Sequence, residues 1–565
     1  MWMSRSAVVR EGRGRASTKP ITAATPRHLY SKGRAYRLLV AIAVASGVAL
    51  RIREYAANRA LWYDESLLSL NIIDQSMTGL FGRLGFNQAA PPGFLLVERL
   101  SVDAFGRSEY ALRLFPLICG IASIFLFLYV VRRLLTPAPA LIALALFSVS
   151  DGLIHYSAEV KQYSTDVAAS LLILAAALAL RSSLLPTWRA ACWVVAGFAA
   201  LAFSYAASFI LVTVVIVLVM PRALRRPRQA RRPLELAVVL WLAGIAVASV
   251  YAFPRVSDVV ATTNQGASVV GAKFVRRATG ALATAVGYPA GGAIGSLKYL
   301  AAVVALVGFA ALVRRHLEVA ALVSVPLLLL MLAAGLHAYP VLPRTLLFFL
   351  PFIAIVLGEG IAALALGTPS PRRALALVVA LAVCAVPAGF AAKHFITPQQ
   401  REEIKPVLRH LTKNWRAGDS LFVFSHAQYA LRYYLECGCG GLSLRTLGIP
   451  WNAATPDGFG NAQSAPALVS RKPALVIEKP QTSFNGYLRE LAALRGRRRV
   501  WLLVTAIGPL ERQLLTHVSC AGRRTDAFVR SAGKGPFSTA AIYRYDLTRL
   551  TDVDALTSCR SSAPP

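Results

Sequence analysis

Residues 110–131 read YALRLFPLICGIASIFLFLYVV, with Arg113 the one charged side chain, and the run stops at Arg132-Arg133. A helix needs about 20 mostly apolar residues to cross the hydrocarbon of a bilayer. Further apolar runs follow at about 138–155, 164–182, 190–205, 206–221, 234–253, 297–313, 319–336, 345–366 and 374–392. A first one lies at 38–50, extendable to 35–52, which makes eleven expected spans. Composition agrees: of 565 residues, 56% are hydrophobic and 16% charged. That balance excludes a soluble protein of this size, and equally disorder, collagen and coiled coil.

The formal net charge is +34, yet its placement argues against nucleic acid as a partner. Arg132-Arg133, Arg181 with Arg189, the run 222–232, Arg314-Arg315 and Arg372-Arg373 fall on alternate loops. Basic residues in short loops mark the cytoplasmic side. Residues 1–37, basic with Glu11 the one acid, join that side as a cytoplasmic tail. The tail is long for a signal peptide, so the first run reads as an uncleaved helix. An odd number of spans then places the C-terminus outside. Residues 93–105 are too short and too charged to span, and read as a juxtamembrane helix.

The expected organisation is a transmembrane unit at 38–392 with a large first external loop at 53–109, an extracytoplasmic α/β domain at 393–547 and a flexible tail at 548–565. In the α/β part, 420–425, 474–478 and 500–505 read as buried strands. Stretches 400–416, 426–436, 486–495 and 508–517 read as helices between them. Cys119, Cys192 and Cys384 fall in spans as core residues. Cys437, Cys439, Cys520 and Cys559 fall outside, where oxidation is permitted. Two readings stand for them: a disulfide from Cys437 or Cys439 to Cys520, or free thiols.

The first external loop opens on LWYDES (61–66). Asp64 and Glu65, flanked by Trp62 and Tyr63, suit proton transfer or a divalent cation, the one cofactor the pair suggests. A helix cap beside interfacial aromatics is the plain alternative. In FGRSEYALRLFP (105–116), Glu109 and Arg113 are spaced for an (i, i+4) ion pair. The short loop HYSAEVKQYS (155–164) carries Glu159, Lys161 and Tyr163. Ionisable groups at a membrane boundary are costly unless paired or functional. Glu159 and Lys161 do not face each other on a helix, so each needs another partner, and the first loop offers acids. In HAYPVLPR (337–344), with Tyr339, Arg344 sits at a helix start, where the dipole disfavours a cation. A bound anion, such as a lipid phosphate, explains it; snorkelling to headgroups is the alternative. Lys273, Arg276 and Arg277 read as a solvated face.

LWYDES, AAPPGFLLVERL, FGRSEYALRLFP, YSAEVKQYS and YPVLPRTLLFFLP occur in that order. Together they resemble the GT-C class of polyprenyl-phosphate-sugar-dependent glycosyltransferases, in the branch with protein O-mannosyltransferases and the lipid A aminoarabinose transferase. The resemblance covers about 38–392. It implies a GT-C-like helical fold, Asp64 as catalytic base with Glu65 supporting it, and a cavity lined by Glu159, Lys161 and Tyr163. It implies that Arg344 holds the donor phosphate. The chain departs from many members in having Ala90 before the Pro-Pro pair, and Ala158 and Lys161 where arginine is common.

The expectation is therefore a polytopic α-helical enzyme of the bacterial inner membrane, with its N-terminus cytoplasmic and its C-terminal domain periplasmic. It would transfer a sugar, with inversion, from a polyprenyl-phosphate donor to an external hydroxyl on an envelope glycan, lipid or protein. Its other partners would be membrane lipids. The leading rival is a transporter or lipid flippase with an external binding domain. That rival predicts charged or broken helices at the bilayer midplane and an internal repeat; no repeat is visible. A non-catalytic scaffold would make Asp64 dispensable.

Overall fold

The computed structural model describes residues 33–179, 187–221, 228–263, 276, 279–280, 283, 297–336, 338–367, 370–439, 475–477, 484–531 and 538–550. Expectations for 1–32, Lys273, Arg277, His337, Cys559 and 551–565 lie outside the described residues.

The N-terminal part is helical throughout: α1 Arg34–Ala56, α2 Tyr63–Asp74, α3 Pro92–Phe105, α4 Glu109–Leu134, α5 Pro137–Ser148, α6 Asp151–His155, α7 Tyr163–Ala179, α8 Thr187–Phe203 and α9 Ala207–Val214, which continues as a π turn to Val219. Then come α10 Arg228–Thr263, α11 Leu297–Arg315, α12 Leu317–Gly335, a 3-10 turn Arg344–Phe349 leading into α13 Leu350–Gly367, and α14 Ser370–Ile396. The apolar runs of the sequence lie on these helices as far as they are described, and the stretch 93–105 is helical, within α3.

Among the described residues, five helices are long and apolar enough to cross a membrane: Arg34–Ala56, Glu109–Leu134, Leu234–Ser257, Leu317–Gly335 and Arg344–Ala365. A sixth arises if α5 and the helical stretch Asp151–Ala158, bent by 51°, count as one. Others, such as Tyr163–Ala179 and Ala191–Phe203, are apolar but shorter. The chain is a multi-pass membrane protein. Against the eleven expected spans, five or six described helices are long and apolar enough, and shorter apolar helices or a helix break lie on other runs. One break is the bend after α5, where Arg51 of α1 donates to the Ser148 carbonyl at 3.1 Å and to the Gly47 carbonyl at 2.9 Å. A backbone carbonyl at such a bend needs a partner in apolar surroundings.

α4 shows how these helices are delimited. Ser108 accepts the Ala111 amide at 3.2 Å as an N-cap, and Arg132 and Arg133 close the last turn, where the helix dipole favours cations. At the centre of the bundle, the best-spanning window of Arg344–Ala365 is 94% buried, against 17% for Leu234–Ser257. The first lies inside the protein; the second presents apolar side chains outward, as a lipid-facing helix does.

The C-terminal part adds α15 Ile404–Asn414, β1 Ser420–Val423, α16 Ala427–Cys437, β2 Leu475–Ile477, α17 Phe484–Ala492, β3 Val500–Thr505, α18 Pro509–Ala521, β4 Arg523–Ser531 and β5 Thr539–Asp546. The strand order is β2-β1-β3-β5-β4, with β1 parallel to β2 and β3, and β5 antiparallel to β3 and β4. The three parallel strands match the expected ones. The β4–β5 pair was not foreseen, because β4 is mostly exposed and charged. One sheet face packs on α17 and α18. The other shares a core with the first loop: Leu421, Leu503 and Ile542 join Leu61, Leu68, Phe94 and Leu408 in one cluster.

Cys437 is disulfide-bonded to Cys439. The expected bridge from either residue to Cys520 is therefore corrected. Gly438 between them has φ +59, a left-handed backbone that glycine adopts without strain, and it brings the two thiols together locally.

α11 and α13 touch backbone to backbone. A Cβ on Gly308 would lie 2.0 Å from the Val356 carbonyl oxygen, and one on Gly360 would lie 2.1 Å from that of Val304. Small residues allow such close helix approach in membranes. Gly308→Ala should therefore lower the unfolding transition of the detergent-solubilised protein, with a loss of about 1–3 kcal/mol from overpacking. Gly335→Ala is the control, since its Cβ meets nothing within 4 Å. Equal melting of the two variants would refute the close approach.

Candidate active site

Asp64 is the second residue of α2, and α2 is entered through an irregular, buried stretch. Ala60, Leu61 and Trp62 are all buried, so their backbone groups must find partners within the protein. Arg113 donates to the carbonyls of Arg59 at 2.7 Å and Ala60 at 3.3 Å. The Ala60 amide donates to Glu403 Oε1 at 3.0 Å, the Leu61 amide to the Tyr434 hydroxyl at 2.9 Å, and the Tyr63 amide to Glu402 Oε2 at 2.9 Å.

From there the two acids of the pair part. Glu65 is fully buried and faces Arg113, which donates to it at 3.0 and 2.7 Å; the Val160 amide donates to it at 2.9 Å. The expected Glu109–Arg113 pair is thereby replaced. Arg113 goes to Glu65, and Glu109 takes Lys405 at 2.9 Å and the Tyr434 hydroxyl at 3.0 Å.

Asp64 faces the other way, into a cavity open to solvent. Its Oδ1 lies 3.1 Å from Lys161 Nζ and its Oδ2 2.8 Å from Arg344 Nη1. Lys161 also donates to Gln88 Oε1 at 2.6 Å. Side-chain exposure grades across the three charges: 7% for Lys161, 16% for Asp64 and 31% for Arg344. The arginine is the most open of them. It is carried by a turn that Thr345 ties, accepting the Leu342 amide at 3.0 Å and donating to the Pro340 carbonyl at 2.7 Å.

Charge at the site follows from these contacts. Burial pushes the Asp64 carboxyl up, but Lys161 and Arg344 outweigh it and hold it below the usual carboxylate range. Burial lowers the Lys161 ammonium more than Asp64 raises it. Glu159 is buried outside the cavity, with His155 Nε2 at 3.2 Å, Arg401 at 3.7 Å and Arg59 at 3.9 Å. Burial opposes its ionisation; Arg401, His155 and Arg59 together hold it well below the usual range.

The structure thus brings Asp64, Lys161, Tyr163, Tyr339 and Arg344 to one cavity. Glu65 and Glu159 belong to ion pairs behind it. Among the described residues no three His, Cys, Asp or Glu side chains converge on a metal position. Asp64 and Glu65 are each engaged by cationic side chains instead.

Several residues escaped the sequence reading. Asp166 lines the cavity and accepts the Ser204 hydroxyl at 2.6 Å; an acid inside an apolar run was the available signal. Gln88, which precedes the Pro91-Pro92 pair, also lines the cavity. Glu98 is fully buried with neither carboxyl oxygen hydrogen-bonded among the described residues, and burial pushes its carboxyl well above the usual range. Arg401, Glu402 and Glu403 carried no local signal at all.

Residues 89–251 match the family model described as dolichyl-phosphate-mannose-protein mannosyltransferase, which is less than half of the chain. No curated protein matches. Among solved structures, the chain is similar to ArnT from Cupriavidus metallidurans in the apo state, at 13% identity and a TM-score of 0.47, covering 90% of this chain and 97% of that one. ArnT bound to undecaprenyl phosphate gives 13% and 0.47, covering 92% and 98%. The apo oligosaccharyltransferase of Archaeoglobus fulgidus gives 12% and 0.47, covering 92% and 75%.

The division of labour between the two acids is testable by stability. Removing one member of a buried ion pair costs about 3–5 kcal/mol, because its partner stays buried and uncompensated. Glu65→Gln should therefore melt far below the wild type. Asp64→Asn, at a solvent-open cavity, should shift the transition much less. If Asp64→Asn is the more destabilising of the two, the roles have been assigned the wrong way round.

Proposed function

We propose that this chain is an integral membrane glycosyltransferase that moves a sugar from a polyprenyl-phosphate donor to an extracytoplasmic hydroxyl, with inversion. The observation that carries the reading is Asp64 held between Lys161 and Arg344 at a solvent-open cavity. A carboxylate in ion-pair contact with two cations puts a proton acceptor and phosphate-binding groups at one cavity. The family match supports it. That match includes Lys161, Tyr163 and Asp166, while Asp64 and Arg344 lie outside it.

The donor phosphate is a diester with one negative charge; it draws Arg344 and Lys161 to itself, and its charge rises as the bond to the sugar breaks. Losing those cations raises the basicity of Asp64 at the moment an acceptor is present. Asp64 takes the acceptor proton as the acceptor oxygen bonds to the anomeric carbon. The bond from that carbon to the phosphate oxygen breaks, and polyprenyl phosphate leaves with the electron pair. Attack and departure lie on opposite faces, so the configuration inverts. The transition state has oxocarbenium character, as in glycoside hydrolysis, and the two cations stabilise the charge growing on the phosphate. The acceptor is a hydroxyl of an envelope glycan, a lipid or a protein.

The reading predicts opposite effects on binding and turnover. Asp64→Asn removes the carboxylate that competes with phosphate for Arg344 and Lys161. It should bind undecaprenyl phosphate more tightly than the wild type in nanodiscs. Sugar transfer, read as the envelope glycan restored to cells lacking the gene, should fall about 10²-fold or more. Arg344→Ala should weaken that binding by about 10-fold or more, the worth of a charge-assisted hydrogen bond. Arg344→Lys should keep part of it, since the charge survives without the guanidinium fork. Normal binding by Arg344→Ala would leave the arginine as a headgroup anchor.

Orientation follows the basic loops, with the N-terminus in the cytoplasm of a bacterial inner membrane and the C-terminal unit outside. A reporter active only outside the cytoplasm should work when fused after residue 395 and be silent after residue 228. The reverse pattern would put Asp64 on the wrong side for an externally presented donor.

A further inference from the structure

The helix that carries Asp64 has no cap of its own. The N-cap of α2 is Trp62, which offers no side-chain acceptor to the first turn. Helices ordinarily take that acceptor from a Ser, Thr, Asp or Asn at this position. Here it arrives from more than three hundred residues away, as Glu402 Oε2 on the Tyr63 amide at 2.9 Å. Its neighbours do the same for the preceding residues: Glu403 takes the Ala60 amide, Tyr434 takes the Leu61 amide, and Lys405 donates to the Asn58 carbonyl. Arg401 lies over the Trp62 ring, 4.2 Å from its centroid, and reaches Glu159 at 3.7 Å. Glu159 stands two residues before Lys161. One short segment after α14 therefore holds both the turn leading to Asp64 and the loop leading to its lysine partner.

Glu402 is an expensive choice for packing alone. Its side chain is buried, its Oε1 has no hydrogen-bond partner among the described residues, and burial pushes its carboxyl up to about 7. A buried carboxyl in this condition costs stability. A local Ser or Asn in place of Trp62 would have capped α2 without it.

We propose that Glu402, supported by Glu403, is a positioning residue for Asp64: the segment 401–405 supplies the missing cap of α2 and thereby sets the Asp64 carboxylate between Lys161 and Arg344. The proposal rests on the reading of Asp64 as the base. The C-terminal unit is then part of the catalytic apparatus, beyond any role in binding an acceptor. A displacement of about 1 Å at a reacting group can cost about 10²-fold in rate, so loss of this one bond should be visible in turnover.

The test uses the full-length protein with Glu402→Ala, Glu402→Gln and Asp64→Asn, each compared at matched membrane abundance. Two readouts are taken: affinity for undecaprenyl phosphate in nanodiscs, and the envelope glycan restored to cells lacking the gene, measured by mass spectrometry. Glu402→Ala should keep undecaprenyl phosphate binding within about 3-fold of the wild type and lose about 10-fold or more of the product. Glu402→Gln retains an acceptor oxygen for the Tyr63 amide and should restore most of it. Wild-type product from Glu402→Ala, with product lost in Asp64→Asn, overturns the positioning role alone. Product retained in Asp64→Asn overturns the reading of Asp64 itself. If Glu402→Ala fails to accumulate, Glu402→Gln decides: an abundant but inactive Gln variant means the carboxyl acts through its charge or proton, and the positioning role is overturned.

Discussion

The buried bond between Arg113 and Glu65 is the constraint on which the site depends. Both groups are withdrawn from water, so each is tolerable only because the other is there, and the guanidinium must also satisfy the Arg59 and Ala60 carbonyls. The pair therefore fixes the start of α4 against the turn before α2. Successive side chains on a helix diverge by about 100°. With Glu65 committed inward, Asp64 has to point elsewhere, and elsewhere is the cavity. The less conspicuous acid of the pair thus sets the direction of Asp64.

Electrostatics at the cavity is arranged around competition. Asp64 is ionised and held by two cations, a poor base as it stands. The same cations also suit a phosphate, whose charge would grow as it departs as a leaving group. A site of this kind would change character with its occupant: without an anion it is an internally neutralised ion cluster; with one bound, the carboxylate loses its cations and its basicity rises. On the proposed function, donor binding and activation of Asp64 as base would be one event.

The boundary between the helical unit and the C-terminal unit is weaker in packing than in sequence. Composition changes sharply near residue 393, yet the apolar core does not stop there. Leu61, Leu68 and Phe94 of the first loop pack in the same cluster as Leu408, Leu421 and Trp501. An external loop that must leave several amides and carbonyls buried needs polar partners from outside itself, and the segment 401–434 provides them. The loop and the C-terminal sheet are consequently one structure in mechanical terms.

Much of this was visible in the linear chain. The apolar runs located the long helices among the described residues, though not α2, because a membrane segment must be continuous in sequence to satisfy its own backbone. The buried strands β1, β2 and β3 were visible for a similar reason: a strand covered on both faces is a continuous apolar run. Asp64, Lys161 and Arg344 stood out because a charge at a membrane boundary needs a reason. Tertiary structure decided what those charges do to one another. It separated Glu65 from Asp64, gave Arg113 to Glu65 rather than Glu109, closed the disulfide between Cys437 and Cys439, and drew Asp166 into the cavity. It also recruited Glu402 to an amide hundreds of residues away. Each of those outcomes is a choice of partner, and the choice is governed by three-dimensional proximity under the cost of burying an unpaired polar group. Hydropathy and spacing report where a residue must lie relative to the membrane; they carry no record of which distant side chain will meet it there.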